Sequence, residues 1–239
     1  MIDLHCHFLP GIDDGAENIE QALELARLAV ADGITVAAMT PHVHVGRYEN
    51  FQSSIVKNTE AFQKVLEHKG IALKVVPAGE VRLNADVMDL VASGEAPFLG
   101  VLDGYRIMLL EFPHSQIPVG ADKLVQWLLA QKIRPLIAHP ERNKDVMRTH
   151  AKIEPFVNLG CLLQVTAGSL VGQFGSSAQK AAEYFLEQNW VSVLATDAHD
   201  ALNRPPNLSL AKDYLLARGK SVLATRLLET TPARILGLH

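Results

Sequence analysis

Gly33-Ile34-Thr-Val-Ala-Ala-Met-Thr-Pro-His42 is the stretch on which the fold turns. Ile34 to Met39 is apolar with no regular alternation, so neither face of this strand is meant for water. Strands of that kind lie in parallel sheets covered by helices. Gly33 stops the amphipathic run that precedes it, residues 17–32, in the way glycine commonly ends a helix. Thr40-Pro41-His42 then places an imidazole where the strand gives way to a loop.

The same unit recurs in both directions along the chain. Strand patterns fall at 2–5, 71–78, 106–111, 134–138, 161–166 and 190–195. Helical patterns fall at 52–69, 84–92, 120–131, within 144–158, and at 176–188, 207–217 and 220–236. This is about seven β/α units of roughly 30 residues, the usual size of a parallel βαβ unit. No repeat, linker or low-complexity tract interrupts the 239 residues, so residues 1–239 read as one domain.

The strand ends decide between a closed barrel and an open sheet. They carry His5-Cys6-His7, Thr40-Pro41-His42, Gly79-Glu80, Glu111, His139-Pro140-Glu141-Arg142 and Asp197-Ala198-His199. In a closed parallel barrel the C-terminal strand ends meet at one mouth. An open sheet would spread these groups along an edge. A closed α/β barrel is therefore expected.

The residue types at that mouth favour metal ions. His5 and His7, two apart on a strand, share a face and can grip one ion together. Imidazole and carboxylate donors without a thiolate pair suit manganese, iron or zinc. The donors outnumber the needs of one ion, so two or three are expected. Asp14, in Gly11-Ile-Asp-Asp-Gly15, is a further candidate, while Asp13 also fits an Asp-Gly turn. Arg142 and Arg204 could bring guanidinium groups to the same mouth, and guanidinium matches phosphate oxygens two at a time.

Composition narrows the remaining classes. Apolar residues make up 48%, enough for a full core. The net charge of −4, with no basic stripe, argues against a nucleic-acid partner. Cys6 and Cys161 are too few for a disulfide framework. No secretory signal pattern and no apolar run near the ~20 residues of a membrane span is present, so a cytoplasmic protein without membrane insertion is expected. A cysteine-nucleophile phosphatase needs arginine six residues after its cysteine; those positions hold Ile12 and Ala167. No sequence feature reports an oligomeric state.

The motifs, taken together, resemble the polymerase and histidinol phosphatase (PHP) superfamily, and within it the bacterial CpsB/YwqE-type protein-tyrosine phosphatases. The resemblance is carried by Asp3-Leu-His-Cys-His-Phe-Leu-Pro-Gly-Ile-Asp-Asp-Gly-Ala16, Thr40-Pro-His42, Tyr48-Glu-Asn50 and Gly79-Glu-Val-Arg82. It continues in Leu110-Glu-Phe-Pro113, Ile137-Ala-His-Pro-Glu-Arg142, Gln164-Val-Thr-Ala-Gly-Ser169, Gly172-Gln-Phe-Gly175 and Ala195-Thr-Asp-Ala-His199. It implies a distorted (βα)7 TIM-like barrel with three divalent ions, manganese first, with zinc, iron or cobalt as alternatives. It implies His5, His7, Glu80 and Asp197 at one ion, Glu80 with Glu111 and His139 at a second, and Asp14, His42 and His199 at a third. Arg142 and Arg204 match the family's phosphate-contacting arginines. Val43 and Asn143 depart from the family pattern and are expected at the rim of the site.

The activity implied is hydrolysis of phosphotyrosine by metal-activated hydroxide, without a covalent intermediate. The implied substrate is the phosphorylated tail of a tyrosine autokinase of capsule or exopolysaccharide synthesis. The alternatives weighed are a phosphatase of a small monoester such as histidinol phosphate, an amidohydrolase, and a non-catalytic metal-binding scaffold. The amidohydrolase commonly needs a carbamylated lysine on strand four, where this chain offers Glu111.

Overall fold

Pro41 has no backbone N–H, and the second strand breaks there. In the computed structural model, which describes residues 1–238, that strand becomes β2 (Val36–Met39) and β3 (His42–Val43). The third strand breaks likewise at Ala78-Gly79, into β4 (Lys74–Pro77) and β5 (Glu80–Arg82). Gly79 is required at the break: a Cβ there would lie 2.5 Å from the Pro97 ring and 2.9 Å from Val43.

These breaks divide one ring of strands into two sheets. β1 (Ile2–Cys6) pairs with β2, and β2 with β4. The other sheet runs β10 (Val191–Ala195), β9 (Leu162–Thr166), β8 (Ile133–Ala138), β7 (Tyr105–Glu111), β5, β3. All these pairs are parallel, and rejoining the broken strands gives the seven positions of a (βα)7 ring.

The ring closes between β10 and β1 at its upper end. Asp197 N–H donates to His5 O (2.8 Å) and His7 N–H to Ala198 O (2.9 Å). Below them the Asp3 carboxylate accepts from Thr196 N–H (3.0 Å) and from the Thr196 hydroxyl. A side chain thus does at this seam what a backbone ladder does elsewhere, and the barrel is distorted there.

Apolar packing is double. Helices such as Ile19–Ala31 and Ser176–Glu187 cover the outside of the ring. Inside it lie Leu4, Ala38, Ala78, Leu109, Leu136, Ala138 and Val193, with Leu99, Leu102 and Ile235 against them. Several of the small residues directly precede the polar strand ends, so narrow side chains lie beneath the mouth.

The strand and helix patterns read from the sequence are present, with local differences. Residues 34–35 and 71–73 stand outside the strands. A strand β6 (Gly100–Leu102), antiparallel to β7, was not expected; it turns on Asp103-Gly104, both at positive φ, a pairing suited to tight hairpins. The helix expected within 144–158 is Lys144–Arg148, a 3₁₀ turn His150–Ile153, and Glu154–Asn158. The helix expected at 220–236 is interrupted by a π turn at Arg226–Thr230 before Pro232. Val43 is not at the rim: it is buried in the core. Asn143 is also buried, where its side chain caps Lys144–Arg148.

One carboxylate ties two distant helix ends together. Asp32, just past Ile19–Ala31, accepts from Leu208 N–H (2.7 Å), Ser209 N–H (2.9 Å) and the Ser209 hydroxyl. The helix Ser209–Leu216 has no side-chain cap of its own, so Asp32 supplies it. Asp32→Ala should lower unfolding stability by about 2 kcal/mol, and Asp32→Asn by less, in urea titrations followed by circular dichroism.

Candidate metal centre

The period of a strand aims His5 and His7 to the same side and sends Cys6 to the other, where its thiol meets Ala38 O. The two imidazoles are turned by partners at Nδ1. His7 Nδ1 donates to Asp13 Oδ2 (2.7 Å), and His5 Nδ1 to Gln164 Oε1 (3.0 Å). Both Nε2 atoms then face inward, 3.2 Å apart.

Two buried carboxylates meet them. Glu80 Oε2 lies 3.4 Å from His5 Nε2 and 3.6 Å from His7 Nε2; Asp197 Oδ1 lies 3.3 Å and 3.4 Å from the same atoms. His5 Nε2, His7 Nε2 and Glu80 Oε2 thus form a triangle with edges of 3.2, 3.4 and 3.6 Å, and Asp197 Oδ1 lies against both imidazoles. Donors about 2.1 Å from a shared ion stand about 3.4 Å apart in a tetrahedron and about 3.0 Å apart along an octahedral edge. The triangle has the edge lengths of one face of a coordination shell.

Further donor sets adjoin it. His7, Asp14, His42 and His199 form one group, with Asp14 Oδ1 3.2 Å from His42 Nε2 and 3.6 Å from His199 Nε2. His42, Glu80 and Glu111 form another, and His5, His139 and Asp197 another. Together with His5–His7–Glu80, these groups comprise the nine residues named from the sequence and, among the described residues, no others. The grouping differs from two of the expected sets: Asp197 falls with His5 and His139 rather than with His7 and Glu80, and Glu80, Glu111 and His139 do not fall together. Glu111 falls with His42, its Oε2 2.7 Å from Arg82 Nη1, whereas His139 Nε2 meets the other Glu80 oxygen at 2.8 Å.

Several positions are unreadable as ligand supports from strand ends alone. His139 and Asp197 both sit in the left-handed region, at φ 32° and 52°. Gln164 holds the first by accepting from His139 N–H (3.1 Å) while also orienting His5. A glutamine facing inward in an otherwise apolar strand was the available signal. Asp13 makes the expected turn, accepting from Gly15 N–H (3.0 Å), and in addition binds His7 and His42 N–H.

Charge explains why cations belong here. Burial pushes the Glu80 carboxyl up, but His5 and His42 outweigh it and hold it well below the usual range. Burial acts likewise on Asp197, and Arg142, His5 and Arg204 outweigh it. The imidazoles respond in turn: against burial, Glu80 and Asp197 lift His5 to about 9, and Glu80 and Asp14 lift His42 to about 11. Burial and Arg142 push His139 down to about 3, and burial and His7 push His199 down to about 4. The buried acids thus draw positive charge to this place, which divalent ions would supply. Glu80 Oε2, fully buried, has no well-formed hydrogen bond. The donor set fits divalent cations.

Two guanidinium groups border the donors. Arg142 and Arg204 each bring an Nη2 to Asp197 Oδ2. The Nε–H of each is buried and unpartnered.

The sequence model described as "Capsular polysaccharide synthesis, CpsB/CapC" matches residues 1–237. The chain belongs to the CpsB/CapC family. It is 34% identical to the tyrosine-protein phosphatase YwqE of Bacillus subtilis over 204 residues, 85% of this chain and 79% of the relative. It is 31% identical to the putative tyrosine-protein phosphatase CapC of Staphylococcus aureus, over 86% of this chain and 79% of that one. Among solved structures it matches one described as YwqE from Bacillus subtilis and CpsB from Streptococcus pneumoniae, unique metal-dependent tyrosine phosphatases. That match has a TM-score of 0.92 and 31% identity over 100% of this chain and 95% of the other. A β-aspartyl dipeptidase of Fervidobacterium islandicum shares the barrel alone, at 13% identity and a TM-score of 0.60 over 98% of this chain and 72% of the other.

Gly15 packs directly on the first ligand strand: a Cβ there would lie 2.1 Å from His7 O and 2.5 Å from His7 Cβ. Gly15→Ala should therefore reduce bound metal per chain, read by plasma mass spectrometry. Stripping the wild-type protein with a chelator should lower its melting temperature, and re-addition of manganese or zinc should restore it.

Proposed function

We propose that this protein is a metal-dependent protein-tyrosine phosphatase of capsule or exopolysaccharide synthesis. The observation that carries the proposal is the adjacency of two things: a buried cluster of imidazole and carboxylate donors, and two guanidinium groups, Arg142 and Arg204, that line the same cleft. The first fits divalent cations and the second fits phosphoryl oxygens. The names of the relatives, tyrosine phosphatase for YwqE and CpsB and putative tyrosine-protein phosphatase for CapC, support the same reading.

Divalent ions held by the nine donors would supply Lewis acidity and a water of lowered pKa. This chain's own residues do the rest. Arg142 and Arg204 bind and orient the phosphoryl group and offset the charge that grows on its oxygens. Asp197 keeps both guanidinium groups extended towards the donors. The phenolic leaving group has a pKa near ~10, so a strong general acid is less necessary than for an alkyl ester. Cys6 and Cys161 are both buried, and burial raises both thiols, which does not suit a nucleophile.

The finer reading is three ions, manganese first, held by His5, His7, Asp14, His42, Glu80, Glu111, His139, Asp197 and His199. The substrate in this reading is the phosphotyrosine tail of an autokinase in the cytoplasm, and residues 1–239 act as one catalytic domain. Among the described residues no helix is long and apolar enough to cross a membrane. The names of the relatives favour a protein substrate over a small monoester such as histidinol phosphate.

Manganese-loaded protein should hydrolyse p-nitrophenyl phosphate and phosphotyrosine peptides, and histidinol phosphate poorly. Chelation should abolish the activity. Turnover that survives both chelation and alanine at His5, His7 and Glu80 would defeat the proposal. Arg142→Ala should lower kcat/KM about 100-fold, and Arg142→Lys should recover little, because an ammonium cannot reproduce the planar fork.

A further inference from the structure

The donors open into a cleft of about 350 Å³ lined by two kinds of side chain. Its polar lining includes His139, Asp197, His199, Arg142 and Arg204, and its apolar lining includes Phe112, Met147, Phe174 and Ala178. A phosphoryl group seated on the guanidinium groups leaves the apolar lining to whatever the phosphate esterifies. The volume is at the small end for a ligand pocket, so the site takes a group the size of a side chain.

Phe174 is the apolar lining residue that touches Arg142, and the chain fixes it firmly. It lies between Gly172 and Gly175, both at positive φ (81° and 86°), so the loop doubles back within four residues. Gln173 N–H donates to Gly168 O (3.0 Å), and the loop fills the space left by the missing side chain of Gly168. A Cβ at Gly168 would lie 2.1 Å from Gln173 Oε1 and 3.1 Å from Phe174 Cε2. Ser169 is in turn bound to buried Glu141, the residue before Arg142, at 2.7 Å. Arg142 lies over the Phe174 ring, with Cζ 4.7 Å from its centroid. The loop and the arginine are thereby held as one piece.

We propose that Phe174 is a specificity residue that receives the aryl group of the phosphate ester and makes this site select phenolic over alkyl phosphates. The inference rests on the phosphatase reading and adds to it the residue that recognises the substrate's ring. A planar ring lying against Phe174 gains an aromatic contact as well as buried area. An alkyl phosphate reaches the guanidinium groups but has no ring to set against Phe174.

The test is binding rather than turnover. Metal-loaded full-length protein is titrated calorimetrically with phenylphosphonate and with methylphosphonate. The wild type should prefer the phenyl compound. Phe174→Ala should lose about tenfold in phenylphosphonate affinity and none for methylphosphonate. Phe174→Tyr should keep the preference, and Phe174→Leu should lower it, which covers the case in which the alanine variant does not fold. An unchanged preference in Phe174→Ala or Phe174→Leu overturns the inference and leaves the phosphatase reading standing. Equal loss for both ligands also overturns it, because Phe174 would then merely support Arg142. A wild-type protein that binds neither phosphonate defeats the phosphatase reading itself.

Discussion

Two carboxylates, Glu80 and Asp197, are carried into the barrel mouth until only about 1% of each is exposed. A buried, ionised carboxylate is costly unless positive charge surrounds it. Most of what lies around the mouth answers that demand. Imidazoles approach Glu80 from β1, β3 and the end of β8; guanidinium groups approach Asp197 from the 3₁₀ turn after β8 and from the segment after β10. The parallel ring is the device that gathers them, because every strand delivers its C-terminal end to the same place. The register shows it directly: His42 stands opposite Glu80, and Arg82 opposite Glu111.

The breaks in the second and third strands belong to the same logic. A regular strand would point alternate residues away from the mouth. Pro41 and Gly79 interrupt the ladder just before His42 and Glu80, so these two strands resume in the second sheet with their ligands on the inner side. The left-handed backbone at His139 and Asp197 does comparable work on β8 and β10. Both conformations are held by specific partners, Gln164 in one case and the Asp3–Thr196 pair beside the other.

The ring of strands and the donors were legible because each signal lay within a few residues. Apolar strands without alternation announced covered faces, and histidines or acids directly after them announced a shared mouth. What was hidden depends on distant partners. Asp13 looks like a turn residue until His7 and His42 are beside it in space. Gln164 sits on a strand whose end shows no ligand, and its role is visible only once the fold brings His5 and His139 to its side chain. Arg82 is one polar residue among many until the register sets it against Glu111. The β6 hairpin had its Asp-Gly signal, but a three-residue strand is too short to show a period. The breakup of residues 144–158 and 220–236 follows from prolines and tertiary packing that a helical pattern does not register.

His7 belongs to two donor groups, as do His5, His42 and Glu80. Sharing removes independence. A side chain that one group positions is already positioned for its neighbour, and a displacement at His5, His7, His42 or Glu80 is felt in two groups at once. The four groups are therefore facets of one continuous cluster and cannot be edited one at a time.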